Sequence, residues 1–370
     1  MIGAILGALG CLFLTVTAVG WFRALVHRVP PAHGDVELAR VLGRAAGRRT
    51  RRVAAAVVDL DGGTRAAFIG TDANTRFEVG SVSKALTGML LAEAVTRGEV
   101  TLDSTVGVLL PDTAGSPLGS VTVRELCTHT SGLPGLPRTV STPARVVCSG
   151  VFGTNPYRGL DPATVLRLAR RQRLTHRGAQ RYSNLGASVL GHALAAAAGR
   201  DFPTLLSERV CTPIGMTDTQ IAARPDAPPR GWTAAGRRSQ PWVLDGYSPA
   251  GGAISTIADL TRLATALLNH TAPGLASLQP IGRYVPDQPD RASGMFWVID
   301  RLPGTHRTVV WHNGETGGYS AFLALYPQAG RAVVVLADVA RADEQRRIAL
   351  ALTRWLITTT DPPDLQDPGS

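Results

Sequence analysis

The hydrophobic pattern divides the chain into sheet-forming segments near its two ends and a helix-rich middle. VAAAVVDL (residues 53–60) and RAAFIG (residues 65–70) predict two strands, and the Asp-Gly-Gly between them predicts a hairpin turn. Strand patterns return late, in FWVID, TVVWHN, SAFLALY and AVVVLAD, and a helical pattern follows over about residues 342–356. Because helical patterns dominate residues 100–270, we expect an α+β fold whose sheet combines both ends of the chain.

Residues 1–22 form an apolar segment without a formal side-chain charge. A helix of this length can cross a hydrocarbon core of about 30 Å. The segment lacks a basic n-region and an A-x-A cleavage site, which favours an uncleaved membrane anchor over a cleaved signal peptide. Arginines follow the segment, and the positive-inside rule would then hold the rest of the chain in the cytoplasm, unless translation starts upstream and a basic n-region is missing. We expect an extracytoplasmic domain, and the sequence leaves the orientation open.

Basic charge is concentrated next to this apolar segment. Residues 1–52 hold eight arginines against Asp35 and Glu37, a net charge of +6 within a total of +10 for the chain. A short basic arm of this kind gives no support to nucleic-acid binding. We therefore expect a basic connector over residues 23–50, helical near residues 35–44, then one folded domain over residues 51–358 and a disordered tail over residues 359–370.

The four cysteines do not form a metal-binding pattern. No CxxC or HExxH motif occurs, so no metal site is expected. Cys11 lies in the apolar segment, and Cys127 has the surroundings of a small buried hydrophobic residue. Cys148 and Cys211 are the remaining candidates for a disulfide, and the sequence cannot show whether they meet.

The first candidate for chemistry is the segment FEVGSVSKALTG, residues 77–88, which contains the only lysine of the chain. A helix predicted over residues 81–97 places Ser81 at its start and Lys84 one turn later on the same face. Serine is a weak nucleophile until a nearby base removes its proton. Lysine can act as that base because burial lowers its pKa, whereas arginine stays protonated. A chain that otherwise uses arginine therefore keeps lysine at the one position where arginine cannot substitute.

Two further motifs follow Ser81 and Lys84 in order along the chain. Tyr182-Ser183-Asn184 stands at a predicted helix start, and His312-Asn313-Gly314 stands at a predicted strand end. With these motifs the sequence resembles the family of serine β-lactamases and penicillin-binding proteins, in particular its class C-like branch of serine hydrolases, esterases and D-peptidases. The resemblance covers about residues 50–357 and includes the phrases LCTHTSGLP, TPIGMTDT and SPAGGAISTIADL. It implies a β-lactamase/transpeptidase-like fold with an antiparallel sheet and a mostly helical middle region.

The resemblance also implies a role for each motif residue. Ser81 would be the acylated nucleophile, Lys84 its activating partner, and Tyr182 the general base that takes the serine proton and later activates water. A neighbouring cation would help Tyr182 in this role by lowering its pKa. Asn184 would bind the substrate, and the backbone amides of Ser81 and Glu315 would form the oxyanion hole. The site needs no cofactor and no metal.

The third motif departs from the Lys-Thr-Gly or Lys-Ser-Gly of the lactamases, since His312, Asn313 and Gly314 stand there. These residues would still line the substrate site, but histidine has an ordinary pKa near 6.5 and is only partly charged at neutral pH. The departure favours esters, or amides without a tightly bound carboxylate. We therefore expect a membrane-tethered serine hydrolase acting on a small-molecule or peptide substrate. A penicillin-binding-like sensor or binding module that keeps the same pocket without catalysis is the alternative.

Overall fold

The computed structural model of the chain describes residues 29–47, 51–139, 141–222, 230–283, 288–302 and 305–360. The predicted anchor over residues 1–22 lies outside these ranges, as does the predicted tail beyond residue 360. Within the described ranges, no helix combines the length and the apolar character that a membrane crossing requires.

Twelve strands occur in the described part of the chain, and all their pairings are antiparallel. They are β1 (Ala32–Gly34), β2 (Val53–Asp59), β3 (Gly63–Ile69), β4 (Phe77–Glu78), β5 (Gln220–Ile221), β6 (Ala253–Ser255), β7 (Gly282–Arg283), β8 (Arg291–Ser293), β9 (Val298–Arg301), β10 (Thr308–Glu315), β11 (Ser320–Tyr326) and β12 (Arg331–Ala337). The main sheet has the order β1-β3-β2-β12-β11-β10-β9-β8-β7, and β4-β6-β5 form a small second sheet.

The helices fill most of the region between β4 and β7. In the described ranges they are α1 (Val36–Ala45), α2 (Val82–Thr96), α3 (Val106–Leu109), α4 (Val123–Cys127), α5 (Thr142–Phe152), α6 (Pro162–Arg170), α7 (Asn184–Ala198), α8 (Phe202–Leu206), α9 (Thr212–Ile214), α10 (Ser248–Gly251), α11 (Ile257–Leu268) and α12 (Ala342–Thr360). The predicted combination of a helical middle and a sheet built from both chain ends is confirmed.

The two ends of the chain meet where β2 pairs with β12, from Val53 opposite Ala337 to Asp59 opposite Arg331. Both strands are apolar along almost their whole length because both faces of the sheet are covered. Since successive side chains point to opposite faces, alternate residues of each strand enter different cores. The larger core lies between the sheet and the helical region, and the smaller core lies under α1 and α12.

The sequence predicted that the folded domain begins at residue 51, but the packed structure begins earlier. α1 matches the helix expected near residues 35–44 and begins after Asp35, whose side chain accepts a hydrogen bond of 2.9 Å from the Leu38 amide. Leu38 and Leu42 are fully buried in the smaller core, which they share with Ile348 of α12. β1 pairs with β3, so residues 32–45 belong to the sheet domain and do not form a free connector.

The candidate disulfide is not present. Cys148 is an exposed free thiol on α5, whereas Cys211 is a buried free thiol. Cys127 is also free and buried, as its surroundings in the sequence predicted. Burial raises the pKa of both Cys127 and Cys211 to about 12, so these two thiols are chemically inert at neutral pH.

Candidate active site

Ser81 and Lys84 lie at the start of α2, which runs through the larger core. Ser81 is the N-cap residue, and Lys84 lies one turn later on the same side of the helix. Every residue of α2 from Val82 to Ala92 is buried, which is the pattern of a helix surrounded by protein on all sides. The position of Lys84 on such a helix brings its Nζ atom to 3.0 Å from Ser81 Oγ and leaves the side chain fully buried.

Lys84 has three neighbours that together orient its amino group. Nζ lies 3.0 Å from Ser81 Oγ, 2.7 Å from Asn184 Oδ1 and 2.6 Å from the carbonyl oxygen of Ala250. In the described ranges no carboxylate forms an ion pair with Lys84, and burial holds its pKa well below the usual value of a lysine. Two of the three neighbours can only accept hydrogen bonds. In its neutral form, the amine can therefore direct its two hydrogens at these two oxygens and its lone pair at Ser81 Oγ.

Tyr182 completes the group around the serine oxygen. It immediately precedes α7, whose N-cap Ser183 accepts a hydrogen bond of 2.8 Å from the Gly186 amide. The Tyr182 hydroxyl lies 2.5 Å from Ser81 Oγ, and Lys84 Nζ lies 4.7 Å from the centre of the tyrosine ring. Tyr182 is 46% exposed and Ser81 is half-buried, whereas Lys84 is fully buried.

His129 supports the segment that carries Tyr182. The Ser183 amide donates a hydrogen bond of 3.2 Å to Nδ1 of His129, and the imidazole ring packs 4.7 Å from the ring of Tyr182. Burial holds the pKa of His129 well below its usual value. The histidine in the loop THTSGLP therefore fixes a backbone turn and is not part of the group on Ser81.

Asn184 joins Lys84 to an aromatic wall that the sequence did not reveal. Its Oδ1 atom faces Lys84, and its Nδ2 group donates a hydrogen bond of 3.2 Å to the hydroxyl of Tyr157. Tyr157 is buried between Trp242 and Tyr247, with ring centres 5.2 and 4.7 Å away, and burial raises its pKa to about 12. The sequence did not predict the packing of Tyr157 against Trp242 and Tyr247, because isolated aromatic residues in loops form no recognisable pattern.

The two amides predicted to form an oxyanion hole lie on facing segments. β9 ends its pairing with β10 at Trp311, so the following residues of β10 have no strand beside them on that edge in the described chain. The backbone of residues 79–81 lies there instead. A methyl group on Gly314 would stand 2.0 Å from the Val79 oxygen and 2.8 Å from the Ser81 nitrogen. Gly80 has φ +51°, and a methyl group on it would stand 2.7 Å from the Glu315 nitrogen.

The third motif supplies no positive charge. His312 is buried, and burial lowers its pKa to about 3 against the opposing effect of the Asn313 carbonyl 2.6 Å from its Nδ1 atom. The histidine is therefore neutral at pH 7, where an ordinary histidine would be partly charged. Asn313 lies on the exposed side of β10, so the structure does not bring its side chain into the group around Ser81.

A serine hydroxyl 3.0 Å from a buried amine and 2.5 Å from a phenol, on a segment that faces the Glu315 amide, is equipped to attack a carbonyl group. The fold and this site define the class of protein as a serine hydrolase. The family model described as Beta-lactamase matches residues 38–354. The chain therefore belongs to the beta-lactamase family.

Two relatives and one solved structure show which known proteins this chain is similar to. The chain is 34% identical over 170 residues to human (Homo sapiens) "Putative beta-lactamase-like 1", a match that covers 42% of this chain and only 33% of the relative. It is 27% identical to the D-alanyl-D-alanine-carboxypeptidase/endopeptidase AmpH of Escherichia coli (strain K12), over 68% of this chain and 67% of that protein. The crystal structure of the D-alanine carboxypeptidase AmpC from Burkholderia cenocepacia superposes with a TM-score of 0.71 at 24% identity, covering 86% of this chain and 99% of that one.

Proposed function

We propose that the chain hydrolyses an ester or amide through an acyl-enzyme on Ser81. The observation that carries this proposal is the position of Lys84, a fully buried amine whose Nζ atom lies 3.0 Å from Ser81 Oγ. Burial lowers the pKa of Lys84 well below its usual value, which favours the neutral amine that accepts a proton.

In the acylation half of the reaction, Ser81 Oγ forms a bond to the substrate carbonyl carbon and its proton passes to Lys84 Nζ. The amides of Ser81 and Glu315 hold the oxyanion of the tetrahedral intermediate. When the intermediate collapses, the bond to the leaving group breaks and the Tyr182 hydroxyl protonates that group. The acyl-enzyme is then left with a protonated Lys84 and a Tyr182 phenolate.

In the deacylation half, the phenolate of Tyr182 takes a proton from water, and the resulting hydroxide attacks the acyl carbon. The ammonium of Lys84 stabilises the phenolate while it exists, because an opposite charge nearby favours the charged form. Collapse of the second intermediate breaks the bond to Ser81 Oγ, which recovers its proton from Lys84. The sequence-based expectation assigned both proton removals to Tyr182; the lowered pKa of Lys84 favours this division between the two residues instead.

We propose that the preferred substrates are esters, or amides whose binding does not depend on a carboxylate at the third motif. Support comes from His312, which is neutral at pH 7 because burial lowers its pKa to about 3. The likeness to a D-alanyl-D-alanine carboxypeptidase makes a D-amino-acid peptide the second candidate substrate.

A burst experiment tests the proposed function. Wild type and Ser81→Ala are mixed with excess p-nitrophenyl acetate, p-nitrophenol release is followed, and the intact mass of the protein is measured at early times. We expect turnover and an acetyl adduct on wild type, with neither on Ser81→Ala. A stable adduct without turnover would favour the binding-module alternative, and equal release by both proteins would contradict the proposal.

We further propose that residues 1–22 tether the enzyme to a membrane with its domain on the extracytoplasmic side. The support is their length without a formal side-chain charge. Cell fractionation tests the membrane attachment. A reporter that is active only outside the cytoplasm, fused after residue 370, tests the orientation. Recovery of the chain in the washed membrane fraction with an active reporter is expected. A reporter active only in the cytoplasm would contradict the orientation.

A further inference from the structure

Glu78 is a buried acid close to the nucleophile. It ends β4, three residues before Ser81, and is 3% exposed. The other carboxylates that are equally buried within the described ranges are each paired with an arginine; they are Asp259, Asp338 and Glu344. Glu78 has no such ion pair there, and burial raises its pKa to about 7. A buried carboxyl group without a counter-ion is unfavourable for folding, which points to a role beyond stability.

The carboxyl group of Glu78 connects two segments of the site. Its Oε1 atom accepts a hydrogen bond of 2.7 Å from the backbone amide of Trp242, and the Thr316 side chain forms a second hydrogen bond to the same carboxyl group. The Oε2 atom is buried without a hydrogen-bond partner. Glu78 therefore accepts a hydrogen bond from one neighbouring segment and lies beside a hydroxyl of another, and it is not the member of an ion pair.

Both segments lead to groups that lie near the reacting serine. Thr316 directly follows Glu315, whose backbone nitrogen faces the segment that carries Ser81. Trp242 packs against Tyr157, whose hydroxyl accepts the hydrogen bond from Asn184. A displacement of Thr316 would move the Glu315 amide, and a displacement of Trp242 would loosen the support of Asn184 beside Lys84.

We propose that Glu78 is a positioning residue for acylation, which holds the Glu315 amide and the aromatic wall at Tyr157 in place relative to Ser81. This inference rests on the proposed function of Ser81. The required property is an acceptor oxygen at this position, because the Trp242 amide donates to it and the neighbouring Thr316 hydroxyl is also able to donate. Glutamine, which has the same shape and an acceptor oxygen but no charge, should therefore preserve the function of Glu78. Leucine, which is apolar and of similar size, should not.

Glu78→Gln, Glu78→Leu and Thr316→Val separate these possibilities. For each full-length variant, the rate constant of the acylation burst and KM are measured with p-nitrophenyl acetate. The melting temperature is measured as well. Glu78→Gln is expected to stay within about 3-fold of wild type. Glu78→Leu is expected to lower the burst rate about 10- to 100-fold with little change in KM, because the lost interaction acts on the transition state. Thr316→Val should shift the rate in the same direction, and the double variant Glu78→Leu/Thr316→Val should be no slower than Glu78→Leu alone.

Two results would overturn the inference. One is a wild-type burst rate in folded Thr316→Val, a nearly isosteric change that keeps the experiment informative if Glu78→Leu does not fold. The other is an equal loss in Glu78→Gln and Glu78→Leu, which would assign the effect to the charge. Failure of wild type itself to form an adduct would instead overturn the proposed function, so the two failures are distinguishable.

Discussion

Lys84 Nζ and Ser81 Oγ lie 3.0 Å apart at the start of one buried helix, and no carboxylate in the described part of the chain pairs with the lysine. Most lysines lie at the surface with a charged amine, and full burial of one is rare unless it is paired. Burial lowers the pKa of Lys84 and converts it into a base next to the serine. The predictions below follow from this relationship and from the contacts around it.

Replacement of Tyr182 by phenylalanine should separate the two halves of the reaction. p-Nitrophenolate leaves without needing a proton, so acylation should continue, while deacylation should slow about 10²- to 10⁴-fold without the phenol that activates water. A burst of one p-nitrophenol per chain and a persistent acyl adduct are expected. Tyr182 is 46% exposed, so the melting temperature should change little.

Tyr157→Phe is the matched control for Tyr182→Phe. It removes only the hydroxyl that accepts the hydrogen bond from Asn184, and it should slow the reaction modestly without accumulation of an adduct. Absence of any burst in Tyr182→Phe would show instead that tyrosine takes the first proton.

Asn184→Asp should shift the acid limb of the pH profile upward. The new carboxylate would stand where Oδ1 now lies, 2.7 Å from Lys84 Nζ, and would favour the charged form of the lysine. Because only the neutral amine accepts the serine proton, labelling of Ser81 would then require a pH about one to three units higher. The rate of fluorophosphonate labelling between pH 5 and 9 measures this. Asn184→Leu removes the same hydrogen bonds without adding a charge, and an equal shift in both variants would contradict the explanation.

Gly314→Ala should reduce activity by moving β10 away from Ser81. The added methyl group would stand 2.0 Å from the Val79 oxygen, too close for any real contact. Displacement of an oxyanion-hole amide costs about 10²- to 10³-fold in rate, and the strain should lower the free energy of unfolding by about 1–3 kcal/mol. Gly150→Ala on α5, where the methyl group meets open space, is the control and should add up to about 1 kcal/mol of stability. Full activity of Gly314→Ala would argue against the close approach.

His312→Gln should make the protein less sensitive to acid. The pKa of His312 is about 3 in the folded chain and near 6.5 in an unfolded one, so the unfolded chain binds the proton first as the pH falls. Wild type should lose about 1.4 kcal/mol of stability per pH unit from this residue below pH 6.5, and the loss should stop near pH 3. Urea unfolding of wild type and His312→Gln at pH 7 and pH 5 measures the difference between them. The exposed His306→Gln controls for the loss of a histidine, and a difference that does not vary with pH would contradict the burial of a neutral His312.

Local patterns were sufficient to predict the elements that carry the site. The apolar residues of β2 and β12 predicted buried strands. Ser81, Lys84 and Tyr182 were recognisable because their motifs are short and occur in order along the chain. Glu78, Tyr157 and Trp242 were missed because their hydrogen bonds join residues that are 27 and 164 positions apart along the chain. The neutrality of His312 was equally invisible, since it depends on burial by the folded chain. Asp35 signalled the start of α1, but nothing local showed that α1 packs against the sheet.

The most direct test of the central claim compares fluorophosphonate labelling of full-length wild type and Lys84→Arg by intact mass. The arginine keeps a long cationic side chain but stays protonated, so it cannot take the serine proton. Rapid labelling of wild type at Ser81 and a rate at least about 10²-fold lower in a folded Lys84→Arg are expected. Labelling of Lys84→Arg at the wild-type rate would contradict the account, because Ser81 would then be activated without a neutral lysine.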